Sequence, residues 1–265
     1  TVSSCLFGMV SGSAVANVMT VGPLTIPMME QSGYSKRFSG AITSVAGTGG
    51  QFMPPIMGAA AFIIAETLGI PYMNVAKAAF IPGVLYYLAI IFIIDLRSSK
   101  LHMKGLDEVP NWKTVLKKDF YLSIPVLLLV YFLAVIRWSP IRSGFWAIIA
   151  MIAVSWLRKD TRMGPKKILK AFEAGAYGSL DVAIVCALAG IMIGMLSVTG
   201  LGLKFSNLLL ALSGGKLPIL LALTMVAALI LGMGMTTTSV YIILSVLVAP
   251  ALIKMNVTPL AAHLF

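Results

Sequence analysis

The sequence predicts an all-α polytopic membrane protein, built on an internal repeat, whose helices break inside the apolar layer. Three observations carry this. The 265 residues are 59% hydrophobic and 11% charged, against about 25% charged in an ordinary soluble domain. Residues 1–29, 38–65, 182–203 and 217–253 contain no Asp, Glu, Lys or Arg, and each stretch is longer than the roughly 20 apolar residues that cross a bilayer. Two clusters inside these stretches are too rich in glycine and hydroxyls for plain spans. One comprises Ser11-Gly12-Ser13 and Gly47-Thr48-Gly49-Gly50 with Pro54-Pro55, and the other Gly232-Met-Gly234-Met-Thr236-Thr237-Thr238. Lipid supplies no hydrogen-bond partner, so backbone unwinds at membrane depth only where it lines a cavity inside protein.

Taken in order, residues 4–29 form one apolar segment, expected to break at Ser11–Ser13 and again at Gly22-Pro23. Gln31–Arg37 is a polar turn in which Ser35 caps the next helix. A short arm over 37–47 precedes Gly47–Pro55, which the glycines and two prolines should unwind. Residues 56–69 resume as helix, and 78–95 form a full span ending at Asp95. Arg97–Asp119 is a polar loop, 120–136 and 141–157 are two spans, and 165–180 is either an amphipathic interfacial helix or a plain solvated connector. Residues 182–198 and 201–213 flank a break at Thr199–Gly202, and 217–231 and 239–254 flank the second cluster.

The net charge of +11 does not point to nucleic acid, because no aromatic residues interleave with the basic ones. Twelve of the 20 Lys and Arg fall in Arg97–Lys118 and Arg158–Lys170. Two spans separate these segments, so both lie on one side, which the positive-inside rule makes cytoplasmic. Cys5 and Cys186 sit in apolar runs as small hydrophobes. The chain opens and closes inside apolar segments, which suggests a fragment of a longer protein.

A shift of 223 residues superposes Leu6 on Leu229, Ser13 on Thr236, Pro27 on Pro250 and Ser35 on Thr258. The organisation follows: 1–95 as part of a first repeat, 96–180 as basic loops and connecting spans, 181–265 as part of a second. Broken helices at corresponding places in two repeats are the pointer to the binding site of a secondary transporter. A half-helix leaves free N–H groups at its start, which attract anions, and free carbonyls at its end, which attract cations. Candidate sodium ligands are Ser11, Gly12, Gly47, Thr48, Gly49, Gly232, Gly234 and Thr236, as hydroxyls or carbonyls. Ser13, Asn17, Thr237 and Thr238 are candidate substrate contacts. No acid lies in either cluster, so neutral oxygens favour sodium over calcium, with proton coupling the alternative. No covalent cofactor is called for. The competing readings are another inverted-repeat antiporter or channel, and an intramembrane serine hydrolase built on Ser13 and His263.

The string Gly8-x-x-Ser-Gly-Ser-Ala14, Gly22-Pro23, Ile26-Pro-Met-Met29, Gly33-Tyr34, Ala46-Gly-Thr-Gly-Gly50 and Pro54-Pro55 resembles the large membrane subunit of tripartite ATP-independent periplasmic (TRAP) transporters. Pro54–Lys77 and Phe80-Ile-Pro-Gly-Val84 resemble its TAXI branch, in which the small and large subunits are fused. The resemblance implies an inverted-repeat transporter fold with re-entrant hairpins, working as an elevator in the bacterial or archaeal inner membrane. It implies a non-enzymatic, cation-coupled symporter of small organic acids, partnered by a periplasmic substrate-binding protein and a small membrane subunit or its fused equivalent. Ser11–Ser13 would match the first hairpin tip, Gly47–Gly49 the unwound loop beside it, and Gly232–Thr237 the second tip.

Overall fold

In the computed structural model, residues 1–101, 120–157 and 161–265 are described. Among them the regular structure is all helical. The first unit (residues 1–65 and 70–168) opens with α1 (Val2–Ser11), α2 (Ala14–Gln31) and α3 (Lys36–Gly49). It continues with α4 (Ala59–Leu68), whose end falls in the second unit, and α5 (Tyr72–Lys100). A 3₁₀ turn (Phe120–Ser123) then leads into α6 (Ile124–Ala134) and α7 (Pro140–Ser155). The spans from the expected middle segment thus pack with the first repeat. The second unit (66–69 and 169–265) takes most of α8 (Pro165–Thr199), then α9 (Leu201–Ser213) and α10 (Leu217–Gly232). It ends with α11 (Thr237–Leu247), α12 (Ala249–Lys254) and α13 (Pro259–Leu264).

α5 and α8, at 29 and 35 residues, are long and apolar enough to cross a membrane. The buried stripe of α5 is Tyr72, Val75, Ala76, Ala79, Gly83, Tyr87 and Ile90. This is the three-to-four spacing of one helix face. It packs in part against Ile42 and Ala46 of α3. The core of the second unit gathers Leu209, Leu220, Val248, Ala249, Ala251 and Leu252. Its outer surface carries Ile184, Leu188, Ile191, Met195 and Val198, all exposed and apolar, as lipid contact requires.

Several boundaries differ from expectation. α2 runs through Gly22-Pro23 and Pro27 without a break. Each proline removes one donor, whereas unwinding in an apolar layer would orphan several groups. α3 continues through Gly47, Thr48 and Gly49, so the first unwound segment is residues 50–58. The glycines serve close packing instead: a Cβ on Gly47 would lie 3.2 Å from Val18, and one on Gly49 2.5 Å from the Tyr86 ring. α8 is one helix where an interfacial helix or connector and a span were expected, and only Gly200 interrupts the region 165–213. The expected span 239–254 breaks at Val248. Ala251 N–H there donates to Val248 O (3.0 Å), and Ser206 of α9 donates its hydroxyl to Leu247 O at 2.8 Å. The expected loop residues 102–119, and 158–160 of the second basic segment, lie outside the described residues.

Two local hydrogen-bond patterns recur at the 223-residue offset. Ala16 N–H donates to Ser13 Oγ at 3.2 Å, and Ser239 N–H to Thr236 Oγ1 at 3.4 Å. Tyr34 N–H reaches back to Met29 O (3.0 Å), and Val257 N–H to Leu252 O (3.2 Å). Between them Gly33 has φ 102° and Asn256 φ 62°. This is the helix-ending motif in which a left-handed residue lets the chain return to the last turn. Every member of these pairs is 223 residues from its counterpart.

Candidate functional site

The first break is built where α1, α2, α3 and residues 50–58 meet. α1 ends at Gly12, whose φ of 62° is left-handed, and Ser13 begins α2 as its N-cap. A Cβ at Gly12 would sit 2.5 Å from Met57 O, so the hairpin tip and the unwound segment touch backbone to backbone. One layer deeper, a Cβ on Gly8 would lie 2.6 Å from Gly50 Cα. The structure thus sets Gly12 against Met57 and Gly58, Gly8 against Gly50, and Gly47 against Val18, Ala14 and Asn17 of α2.

Their hydroxyls already have roles. Thr48 Oγ1 donates to Ser44 O at 3.0 Å. That uses the proton and leaves oxygen lone pairs available to a cation. Ser13 Oγ accepts from Ala16 N–H, holding the start of α2. Asn17 is fully buried, and its amide donates to Ser4 O of α1 at 2.6 Å. Its Oδ1 is buried with no hydrogen-bond partner among the described residues. Beside the tip runs a groove of about 270 Å³ lined by Ala14, Val15, Val18, Met19, Ser44 and Thr48.

The last carbonyls of α3 are accounted for. Gly50 N–H turns to Gly47 O (3.3 Å) and Gln51 N–H to Thr48 O (3.1 Å). Val45 O and Ala46 O accept the hydroxyls of Tyr86 and Tyr87 at 2.7 and 2.8 Å. Beyond the break, Tyr72 donates to Pro55 O (3.1 Å) and also to Ile56 O. These three tyrosines were not singled out from sequence. The available signal was hydroxyl-bearing aromatics on the buried stripe (Tyr72, Tyr87) or beside it (Tyr86) of a largely aliphatic helix.

The second break, Met233–Thr236, lies between α10 and α11. Gly232 closes α10, Gly234 lies in the gap, Thr236 is the N-cap, and Thr237 and Thr238 open α11. Thr236 Oγ1 also pairs with Ser239 Oγ at 2.8 Å. One turn on, Tyr241 OH bonds His263 Nδ1 at 2.9 Å. Ser13 and His263, the residues of the hydrolase alternative, are thus engaged in a helix cap and a tyrosine pair. Among the described residues no three His, Cys, Asp or Glu side chains gather as a metal site. The side-chain oxygens of Ser11, Thr48 and Thr236 at the two breaks are neutral hydroxyls.

The family model of the tripartite ATP-independent periplasmic transporter, DctM component, matches residues 1–265. The chain belongs to this family. Its members are inner-membrane permease components, and the chain is accordingly a multi-pass membrane protein. It is 27% identical over 264 residues to the isethionate TRAP transporter permease protein DctMQ of Oleidesulfovibrio alaskensis, covering 98% of this chain and 41% of that one. It is 31% identical over 134 residues to the C4-dicarboxylate TRAP transporter large permease protein DctM of Vibrio cholerae, covering 50% of this chain and 28% of that one. The corresponding protein of Pseudomonas aeruginosa is 26% identical over 197 residues, 71% of this chain and 43% of the relative. The chain thus spans less than half the length of these relatives.

Proposed function

We propose that the chain forms part of the permease of a sodium-coupled symporter importing small organic acids. A periplasmic substrate-binding protein delivers the acid, and a small membrane subunit, or a fused equivalent, completes the permease. The observation that carries this reading is the pair of breaks 223 residues apart, each opening a helix with a hydroxyl cap, Ser13 in one and Thr236 in the other. A helix start presents N–H groups and positive partial charge to an anion. Isethionate and C4-dicarboxylates, named for the relatives, are organic anions. Ser13, Asn17, Thr237 and Thr238 are the proposed substrate contacts. The proposed sodium ligands are the hydroxyls of Ser11, Thr48 and Thr236, with carbonyls of Gly12, Gly47, Gly49, Gly232 and Gly234. Transport is proposed to proceed as an elevator, with the two repeats proposed to be of inverted topology. Proton coupling is the second reading, favoured by the Tyr241–His263 hydrogen bond.

The test is uptake by the complete permease in proteoliposomes with its binding protein. An inward sodium gradient should drive accumulation of the organic acid, and a proton gradient without sodium should not. Accumulation driven by the proton gradient alone overturns sodium coupling.

A further inference from the structure

We infer that Tyr72, Tyr86 and Tyr87 of α5 are positioning residues that hold the first break in a fixed register and so set its affinity for the coupling cation. The proposal rests on the sodium-coupled reading above. Three levels of contact carry it. At one level, Tyr86 and Tyr87 donate to Val45 O and Ala46 O, just before the chain leaves α3. Ala46 O needs such a donor, because Gly50 N–H, its partner in a continuing helix, bonds Gly47 O instead. In the middle, Phe52 packs edge-on to Tyr86 with ring centroids 4.9 Å apart. A Cβ on Gly83 would there lie 2.8 Å from Met53 Sδ. At the far level, Tyr72 donates to Pro55 O and Ile56 O, and its ring stacks on Phe62 of α4 at 4.4 Å.

The unwound segment therefore runs antiparallel along α5, from Tyr87 back to Tyr72. At 1.5 Å per residue these two lie about 22 Å apart on the helix. Tyr72 and Tyr87 are buried, so their hydroxyls cannot trade these carbonyls for water at low cost. Gly50 and Met57, tied at either end of this register, are the residues whose backbones touch Gly8 and Gly12. A shift of the segment along α5 would move Met57 O, which lies beside Gly12, and with it any cation that the oxygens of this break hold.

The experiment uses the complete permease with Tyr87→Phe and Tyr72→Phe, each removing a hydroxyl and keeping the ring. Tyr131→Phe, whose side chain is exposed on α6, is the control. Two readouts are taken. Hydrogen exchange of the amides over residues 50–58 should quicken about fivefold, the effect of one lost hydrogen bond, while exchange over the turn at 32–35 stays as in wild type. Sodium alone is titrated against thermal stability, and its half-saturating concentration should rise by a similar factor in both variants, with maximal uptake at saturating sodium retained. Unchanged exchange over 50–58 in both variants overturns the positioning role. Altered exchange with unchanged sodium half-saturation overturns the link to affinity. A wild-type protein that shows no response to sodium sinks the sodium reading itself, and the exchange result still decides the positioning role.

Discussion

Gly8 and Gly50 show how one residue type sets what the break can be. Each faces the other's backbone with no room for a methyl group, and Asn17 Nδ2 lies 2.7 Å from where a Gly8 Cβ would be. Gly8→Ala should therefore force α1 away from α3, at the roughly 1–3 kcal/mol typical of overpacking. Gly40→Ala, on α3 with nothing within 4 Å, should be neutral or raise stability by up to about 1 kcal/mol from helix propensity. Thermal melting of the two variants in detergent separates them, and equal melting temperatures would show that the Gly8–Gly50 contact is not tight. The importance of glycine here was legible in the sequence, but its purpose was not. Gly47 and Gly49 looked like residues for unwinding, and they turn out to let α2 and α5 approach a helix. Composition reports that a Cβ is missing; only the fold reports what occupies the space.

At the scale of elements, the breaks were legible where a hydroxyl cap follows glycine, as at Gly12-Ser13 and Gly234–Thr236. The caps at both, and the left-handed Gly12 at the first, are local chemistry. The prolines misled because their effect depends on neighbours. α2 passes Pro23 and Pro27, while the chain at Val248 breaks, where Ser206 Oγ is present to take the freed Leu247 carbonyl. The glycine and hydroxyl clusters were visible in the sequence, whereas the roles of Tyr72, Tyr86 and Tyr87 were not, because their partners are backbone carbonyls 16 to 41 residues away. The repeat supplies its own test at Gly33 and Asn256. Asn tolerates the left-handed region, and β-branched residues do not. Asn256→Gly should preserve or slightly raise stability, and Asn256→Val should cost about 1–2 kcal/mol. Gly33→Asn should be accepted as its counterpart is, and a Gly33→Asn protein that fails to fold would show that the two turns are not equivalent.

For the whole molecule, the open question is how α6 and α7 meet the bilayer. At 11 and 16 residues they are about 16 and 24 Å long, shorter than a hydrocarbon core of about 30 Å. A re-entrant hairpin would leave their connecting turn in the middle of the membrane. The turn argues otherwise. It carries Arg137 and Trp138, and Arg142 in the first turn of α7 lies over the Trp138 ring at 4.1 Å. Two guanidiniums at the midplane would be costly, whereas Trp and Arg together suit the headgroup layer. The few residues flanking each helix, 120–123 and 135–136 among them, supply the remaining reach. The pair is therefore expected to cross, with Lys100 and Lys166 on the cytoplasmic side and the turn on the other. Single cysteines at Lys100, Ser139 and Lys166 in sealed right-side-out vesicles should show Ser139 reacting with an impermeant thiol reagent from outside, and the other two only after the membrane is opened. A Ser139 cysteine that reacts from neither side would place the hairpin inside the membrane, and labelling of Lys100 and Lys166 from opposite sides would overturn the topology altogether.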